Sequence, residues 1–426
     1  MKNVLFLAYY FPPLGGSGVQ RPLKFVKYLR NFGWNPIVVC PEPGAYPYYD
    51  SSLLEELNDL SVDVYRVPAE TPFHLPFLKR KKLVVPEKIA CIGRQISRFF
   101  MYPDNKRGWI KQAVNASLEL SKKQNFDLIF STAPPFSDHL AATEIKNELG
   151  LPLVLDYRDA WVNNHFIDDQ FEWQKKIHRK LESSCLSEAD QVIVLDEKME
   201  ASLKSEYPGI SFNTHVITHG FDPDDFKGTD PPILEYKTNK MNLLYSGLFY
   251  ENNQPDILLK AFWELILESR IGQDEFHLHF QGGLSGRHKR LIEELGLSSS
   301  VTDYGYLTHN IAVSNLNRAD ALWMISNFAP VHKQIKSGKL FEYIGSGKPI
   351  LGLTHIGAES EVLKAYGAGY VAAPDDLNTL KESIMELFTD WKQNQIKVPD
   401  QAYIQQFDRK KLSNELAKVF DTLSYQ

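Results

Sequence analysis

One stretch of this chain gathers an acid, several bases, glycines and a helix start: Gln334-Ile335-Lys336-Ser337-Gly338-Lys339-Leu340-Phe341-Glu342-Tyr343-Ile344-Gly345-Ser346-Gly347-Lys348-Pro349-Ile350-Leu351-Gly352. The pattern predicts a helix that begins near Ser337–Gly338, stops at the glycines Gly345–Gly347 and gives way to a buried strand over Pro349–Gly352. Glu342 then lies one turn beyond Gly338. A carboxylate accepts two hydrogen bonds at once, so Glu342 suits a vicinal diol such as the 2′,3′-hydroxyls of a ribose. The free N–H groups at the helix start, with the charge of Lys339, suit a diphosphate. An exposed glutamate on an amphipathic helix fits the same spacing, and spacing alone does not separate the two.

A second stretch follows the first apolar run: Pro12-Pro13-Leu14-Gly15-Gly16-Ser17-Gly18-Val19-Gln20-Arg21. Glycines let backbone approach a ligand closely, and the helix expected from Pro22 to Phe32 would offer its start to a phosphate. The dinucleotide pattern G-x-G-x-x-G is not met, because Arg21 stands at the third glycine and Tyr9 to Leu14 separate the strand from the loop. Further on, Arg158 and Asp159 fall just past a strand end. A carboxylate at Asp159 can orient an acceptor hydroxyl or take its proton, while Asp156 and Arg158 read equally as a structural ion pair. His139 reads as structural. His219 is expected at a hinge, facing a cleft. Asp222-Pro223-Asp224-Asp225 resembles an acidic metal motif but reads as a solvated turn, and no metal site is expected.

These residues need elements to place them. Short apolar runs at Val4–Ala8, Pro36–Cys40, Val62–Val67, Leu128–Ser131, Leu153–Asp156 and Val192–Leu195 alternate with helical patterns such as Ser137–Leu149 and Gln174–Ser187, which reads as βαβ units on a parallel sheet. Gly220 to Asn239, rich in Gly, Pro and Asp, reads as a linker. A second series follows, with strands at Asn242–Ser246, Phe276–Gln281, Val301–Tyr304, Ala321–Ile325, Pro349–Gly352 and Gly369–Ala372. The expected fold is α/β, two doubly wound Rossmann-like domains facing each other across a cleft: residues 1–222, residues 223–400, and a final segment, 401–426, whose amphipathic helix Ile404–Leu423 packs back on the first domain. Ligands of such sheets sit beyond the carboxyl ends of the strands.

Composition sets the outer bounds. The 426 residues carry a net charge of -6, which gives no global case for nucleic-acid binding. Three scattered cysteines, Cys40, Cys91 and Cys185, make neither a disulfide framework nor a zinc spacing. The apolar run near Met1 is short, is followed by Pro12-Pro13 and lacks a small-x-small cleavage site, so it reads as a strand rather than a leader. No run reaches the ~18–20 apolar residues of a membrane span.

The Gln334–Gly352 segment resembles the nucleotide-sugar motif of the family-4 retaining glycosyltransferases, which have the GT-B fold: two Glu separated by seven residues, then a small-residue helix end and G-x-P-hydrophobic. Glu342 matches the second Glu, which implies a hold on the donor ribose. Gln334 stands at the first, which in the family touches donor-sugar hydroxyls. Pro12-Pro13-x-Gly15-Gly16 is similar to the family's N-terminal glycine loop. Ser131 to Ser137, with Pro134, and Leu155 to Trp161 resemble acceptor-side loops of members that build bacterial surface polysaccharides. Val216 to Asp222 is similar to the interdomain segment, and Leu244-Tyr245-Ser246-Gly247 to the loop after the first donor-domain strand. There the family usually carries an Arg and a Lys for the diphosphate, whereas Leu248 to Gln254 holds no base. The resemblance and the reading of the residues together give Asp159, Gln334 and Glu342 as the expected catalytic residues. The expected donor contacts are Gly247, Lys336, Ser337, Gly338, Lys339, Leu340 and Glu342, with Arg287 as a base in place of the missing pair. Acceptor contacts fall to Gly15, Gly16, Ser17, Pro134, Arg158, Asp159 and His219. The resemblance further implies sugar transfer with retention, no cofactor and no resident metal.

Residues Phe77 to Lys111 depart from the chain's acidity, with ten Lys or Arg against Glu87 and Asp104, and aromatic residues between them. Such a segment fits an anionic membrane surface and suits a lipid-linked acceptor. The expected partners are a nucleotide-sugar donor and a glycan or lipid-linked acceptor, without nucleic acid. The expected location is the cytoplasm, at the inner face of the membrane. Two rivals share these features: a nucleotide-sugar epimerase, and a non-catalytic protein that binds nucleotide sugars or glycans.

Overall fold

The computed structural model describes residues 1–46, 48–72, 74, 97, 99–162, 170–228, 231–249, 253–326 and 336–423. The chain divides into two compact units, Met1–His219 with Arg409–Gln426, and Gly220–Asp408.

Unit 1 holds seven parallel strands: β1 (Lys2–Leu7), β2 (Trp34–Pro41), β3 (Val64–Val67), β4 (Leu128–Ala133), β5 (Leu153–Tyr157), β6 (Gln191–Val194) and β7 (Thr214–Val216), in the order β3-β2-β1-β4-β5-β6-β7. Helices α1 (Ser17–Leu29), α2 (Ser51–Asp59), α3 (Ile110–Ser121), α4 (Ser137–Leu149), α5 (Glu172–Glu188) and α6 (Glu197–Glu206) lie between them in sequence. Val4, Leu5, Phe6 and Leu7 of β1 are all fully buried. A parallel strand covered on both faces has no polar side, which is why it reads as a continuous apolar run. The strand order reverses between β1 and β4, and their carboxyl ends carry the glycine loop and the Pro134-Pro135 loop.

The first helix starts at Ser17, five residues before the expected Pro22. Pro22 lies inside it and has no N–H to give to the carbonyl of Gly18, one turn earlier. Arg158 fills that gap: its Nη1 donates to the Gly18 carbonyl at 2.6 Å.

Unit 2 holds β8 (Met241–Ser246), β9 (Phe276–Gln281), β10 (Val301–Asp303), β11 (Ala321–Ser326), β12 (Ile350–Thr354) and β13 (Gly369–Ala372), all parallel, in the order β10-β9-β8-β11-β12-β13. Its longer helices are α7 (Asp256–Leu267), α8 (Gly286–Glu294), α9 (His309–Arg318), α10 (Gly338–Gly345), α11 (Ala358–Tyr366) and α12 (Leu377–Lys392). The order reverses between β8 and β11, and α10 follows β11 in the chain. The last helix, α13 (Arg409–Leu423), belongs to unit 1, where Leu412, Leu416 and Phe420 join the core.

Three expectations need correction. The segment expected to be one helix from Ile404 to Leu423 is interrupted: Phe407 gives its carbonyl to the Phe221 N–H, and Asp408 bridges Phe221. The linker is not loose in its described part. Leu234 is buried in unit 2 and donates its N–H to Asn315, Glu235 donates to the Tyr304 hydroxyl, and Lys237 donates to the Asn242 side chain. Nor is the Asp222 turn solvated: Asp222 is buried and accepts the Asp224 N–H, while Asp225 pairs with His309 at 2.9 Å.

Candidate active site

In unit 2 the site is built around the start of α10. Ser337 is the N-cap residue, with extended backbone, and Gly338 and Lys339 form the first turn. Leu340, Phe341, Tyr343 and Ile344 are buried. Their spacing fixes which face turns inward and leaves Glu342 half-buried at the margin of that face. Among the described residues, none hydrogen-bonds the Glu342 carboxylate. The Leu340 N–H turns back to the Ser337 carbonyl at 3.1 Å, while those of Gly338 and Lys339 have no partner within their own helix.

Lys339 does not reach into solvent. Its Nζ donates to the Tyr245 hydroxyl at 2.8 Å and lies 4.0 Å from the centroid of that ring. Tyr245 in turn donates to the Leu248 carbonyl at 3.1 Å. Burial pulls the Lys339 ammonium down to about 7, against the opposing pull of Glu342 and Glu359. The ammonium packs on Gly247, where an added Cβ would lie 2.5 Å from Nζ. The turn after β8, which lacks a base of its own, thus receives a cation from α10.

Gly247 has φ +133 and donates its N–H to the Gln281 carbonyl. Gly282, with φ +122, presses against it so closely that a Cβ there would fall 2.1 Å from the Gly247 carbonyl oxygen. Only glycine fits such a backbone and such an approach. The ends of β8 and β9 are therefore locked together beside Lys339. Arg287, the other expected donor base, instead turns to Asp256 and forms a two-pronged pair with its carboxylate. Gln334 lies outside the described residues.

Sequence reasoning missed Glu359. It stands in the first turn of α11, is 2% exposed, and takes the Ser337 N–H at 2.9 Å. The only sequence signal was an acid in the first turn of a helix after a buried strand, which reads as ordinary helix stabilisation.

In unit 1 the expected residues divide into holders and an open group. Arg158 is buried, and its donors go to the carbonyls of Gly18, Ala133 and Pro134. It clasps the glycine loop to the Pro134 loop and has little left for a ligand. The loop is also tied by Gly15 to the Tyr48 carbonyl, by Asp50 to the Pro13 carbonyl and by Arg66 to the Pro12 carbonyl. Gly16 and Ser17 lie between these ties and open α1. Asp156 pairs with Arg21, not Arg158: the guanidinium spans both carboxylate oxygens and also donates to the carbonyls of Ile217 and Thr218.

Asp159 is half-buried, and none of the described residues hydrogen-bonds it. Burial raises it to about 6 against the charge of Arg158. The residues after it are fixed by Trp161, which stacks on Phe136 at 4.6 Å, and by Glu182, which accepts the Val162 N–H. His219 is held neutral by burial and by Arg21, Arg409 and Arg158. His139 accepts or donates at Ser131 and is fully buried. Beneath the loops, Asp138 takes the Tyr9 N–H and the Trp109 indole N–H, both at 2.8 Å, and burial lifts it to about 8. Lys106, part of the basic stretch, is buried beside Tyr9 rather than on the surface. Lys79 to Lys82, Lys88, Arg94 and Arg98 lie outside the described residues.

Residues 23–225 match the family model described as Glycosyltransferase Family 4, and residues 240–390 match Glycosyl transferases group 1. The chain is a GT-B glycosyltransferase. The transferase is similar in fold to sucrose-phosphate synthase (tll1590) from Thermosynechococcus elongatus, at 14% identity and TM-score 0.65, covering 99% of each chain. It is also similar to WaaG, a glycosyltransferase involved in lipopolysaccharide biosynthesis, at 15% identity and TM-score 0.61, covering 98% of this chain and 99% of that one. A third likeness is to a putative UDP-N-acetylglucosamine 2-epimerase from Listeria monocytogenes, at 14% identity and TM-score 0.58, covering 98% and 95%. No curated protein matches the transferase in sequence.

Proposed function

We propose that the transferase moves a sugar, with retention, from a nucleotide-diphosphate sugar to a glycan or lipid-linked acceptor in surface-polysaccharide assembly. Unit 2 takes the donor and unit 1 the acceptor. The observation that carries this reading is Glu342: a half-buried carboxylate, unclaimed by any described residue, one turn past a helix start that carries Lys339. Its two oxygens take the ribose diol, and the α10 N–H groups with Lys339 face the diphosphate.

In the reaction the bond from C1 to the diphosphate oxygen breaks, and the acceptor oxygen bonds to C1 from the same face. Its proton passes to the leaving phosphate or to Asp159. Charge building on the leaving group is met by Lys339 and the helix start, with no resident metal assigned a role. Gln334 contacts the donor sugar, as the motif implies. Retention and the polysaccharide role rest on the family resemblance, and the latter is in keeping with the likeness to WaaG.

The experiment is a thermal-shift panel of nucleotide sugars on the wild type and Glu342→Ala. A cognate donor at a hundred times its Kd stabilises by about 2.7 kcal/mol. The wild type is expected to shift with one base and the variant with none. An equal shift in both would move the donor site away from α10. The epimerase reading is kept alive by the Listeria likeness. A changed sugar released from donor alone, without acceptor, would favour it.

Membrane contact is part of the same proposal. Phe99 and Phe100 are 41% and 68% exposed, the Phe99 ring lies 5.6 Å from exposed Trp173, Phe171 is also exposed, and Lys176 and Lys180 are exposed on α5. Such a surface fits the inner face of an anionic membrane. Vesicle co-sedimentation that ignores phosphatidylserine content would remove this element.

A further inference from the structure

The start of α10 is held by an acid that the donor reading does not use. Glu359 is 2% exposed. One carboxylate oxygen takes the Ser337 N–H at 2.9 Å, and the other is buried and makes no hydrogen bond among the described residues. The groups around it are few. From α10 it meets Ser337 and the charge of Lys339, with Glu342 on the far side of that lysine. From the end of β11 it meets the uncharged Ser326 hydroxyl. Burial raises the Glu359 carboxyl above the usual carboxylate range, more than Lys339 and the hydrogen bonds lower it.

Such a group conflicts with the ligand assigned to the same turn. An ionised carboxylate on the N-cap N–H repels a diphosphate at the next two N–H groups and competes with it for Lys339. A neutral carboxyl keeps the Ser337 hydrogen bond through its carbonyl oxygen and does neither. We propose that Glu359 is a positioning residue of the donor site that fixes the first turn of α10 in its neutral form, so that donor binding draws a proton onto it. The inference rests on the donor reading above and adds to it a proton linkage that the reading does not require.

The test compares Glu359→Gln and Glu359→Ala with the wild type, using UDP, GDP, ADP and TDP as probes. Dissociation constants are measured by calorimetry from pH 5.5 to 8.5. The titration of the nucleotide is common to all three proteins and cancels in the ratio of wild-type to variant Kd, whereas losing Glu359 lowers Lys339 and so works against the expected gain at alkaline pH. Glu359→Gln is always neutral. Relative to the wild type it is expected to gain affinity as pH rises, by about tenfold between pH 5.5 and 8.5. Glu359→Ala loses the hydrogen bond to Ser337 and is expected to bind more weakly than Glu359→Gln at every pH. Circular dichroism and the unliganded Tm establish that both variants are folded. A ratio between wild type and Glu359→Gln that stays constant with pH would overturn the inference while leaving the donor reading intact. Failure of the wild type to bind any of the four nucleotides would overturn both.

Discussion

Asp159 is the open acid of unit 1, and its behaviour can be foretold from its surroundings. Burial holds it near 6, so it is ionised above that pH and protonated below it. If it orients the acceptor or receives its proton, kcat falls as pH drops through about 6. Asp159→Asn should remove that limb and lower kcat by roughly 10²–10⁴, with the thermal shift from nucleoside diphosphate unchanged. A pH limb that persists in the variant would assign it to another group. The neighbouring residues show how far a sequence can be read at this scale. Asp156 was legible as a paired acid, but its partner, Arg21, is 135 positions away, where a dinucleotide loop would have carried glycine. Arg158 read as a partner of Asp156 or an acceptor contact, because sequence does not show which side chain reaches the Gly18 carbonyl that Pro22 leaves open. The place of Glu342, one turn past a glycine, was legible from helical spacing, but spacing did not separate a ligand carboxylate from an exposed glutamate. Glu359 was not legible, because its role depends on two helices meeting.

The elements were legible where one rule governed them. Strands such as β1 and β4, buried on both faces, must be apolar throughout, and helices between them must be amphipathic. Strand β9 follows neither rule, since His277, His279 and Gln281 alternate with Phe276, Leu278 and Phe280. Its polar side is a set of anchors. His279 bonds to Asn242 and Tyr304, both at 3.0 Å, and His277 to Thr302 at 2.8 Å. Asn242 and Tyr304 also receive N–H groups from the 231–239 segment, which is why this part of the expected linker, opening on Pro231-Pro232, is fastened rather than loose. Burial holds His277 down to about 4 and His279 down to about 3. Both lie below the ~6.5 of an unfolded histidine, so the unfolded chain gains protons first as pH falls. The stability these rings give is whole above about 6.5 and is lost as pH falls toward 3, at roughly 1.4 kcal/mol per pH unit for each. Urea unfolding at pH 7 and pH 5 is expected to show this slope in the wild type and a shallower one in His279→Gln. Equal slopes would mean that another group titrates.

At the scale of the molecule, the chain leaves unit 1 after His219 and comes back to it at Arg409. The returning helix α13 is part of the core. Phe420 lies 5.2 Å from the Trp34 ring and 5.6 Å from Phe130, and Asp421 accepts the Trp34 indole N–H at 3.1 Å. Phe420→Ala is expected to cost unit 1 about 3–5 kcal/mol. A chain ended at Asp408 should lose the unfolding transition of unit 1 altogether while keeping that of unit 2. Two intact transitions in the shortened chain would show that α13 is dispensable.

The same return path bears on how the protein is made. Translation delivers the opening strands first and the helix that covers Trp34 last, with Gly220–Asp408 synthesised in between. At roughly 5–20 residues per second, that interval is on the order of ten to forty seconds. Throughout it the nascent N-terminal half carries an uncovered aromatic face on the ribosome, a target for chaperones that the finished enzyme no longer displays.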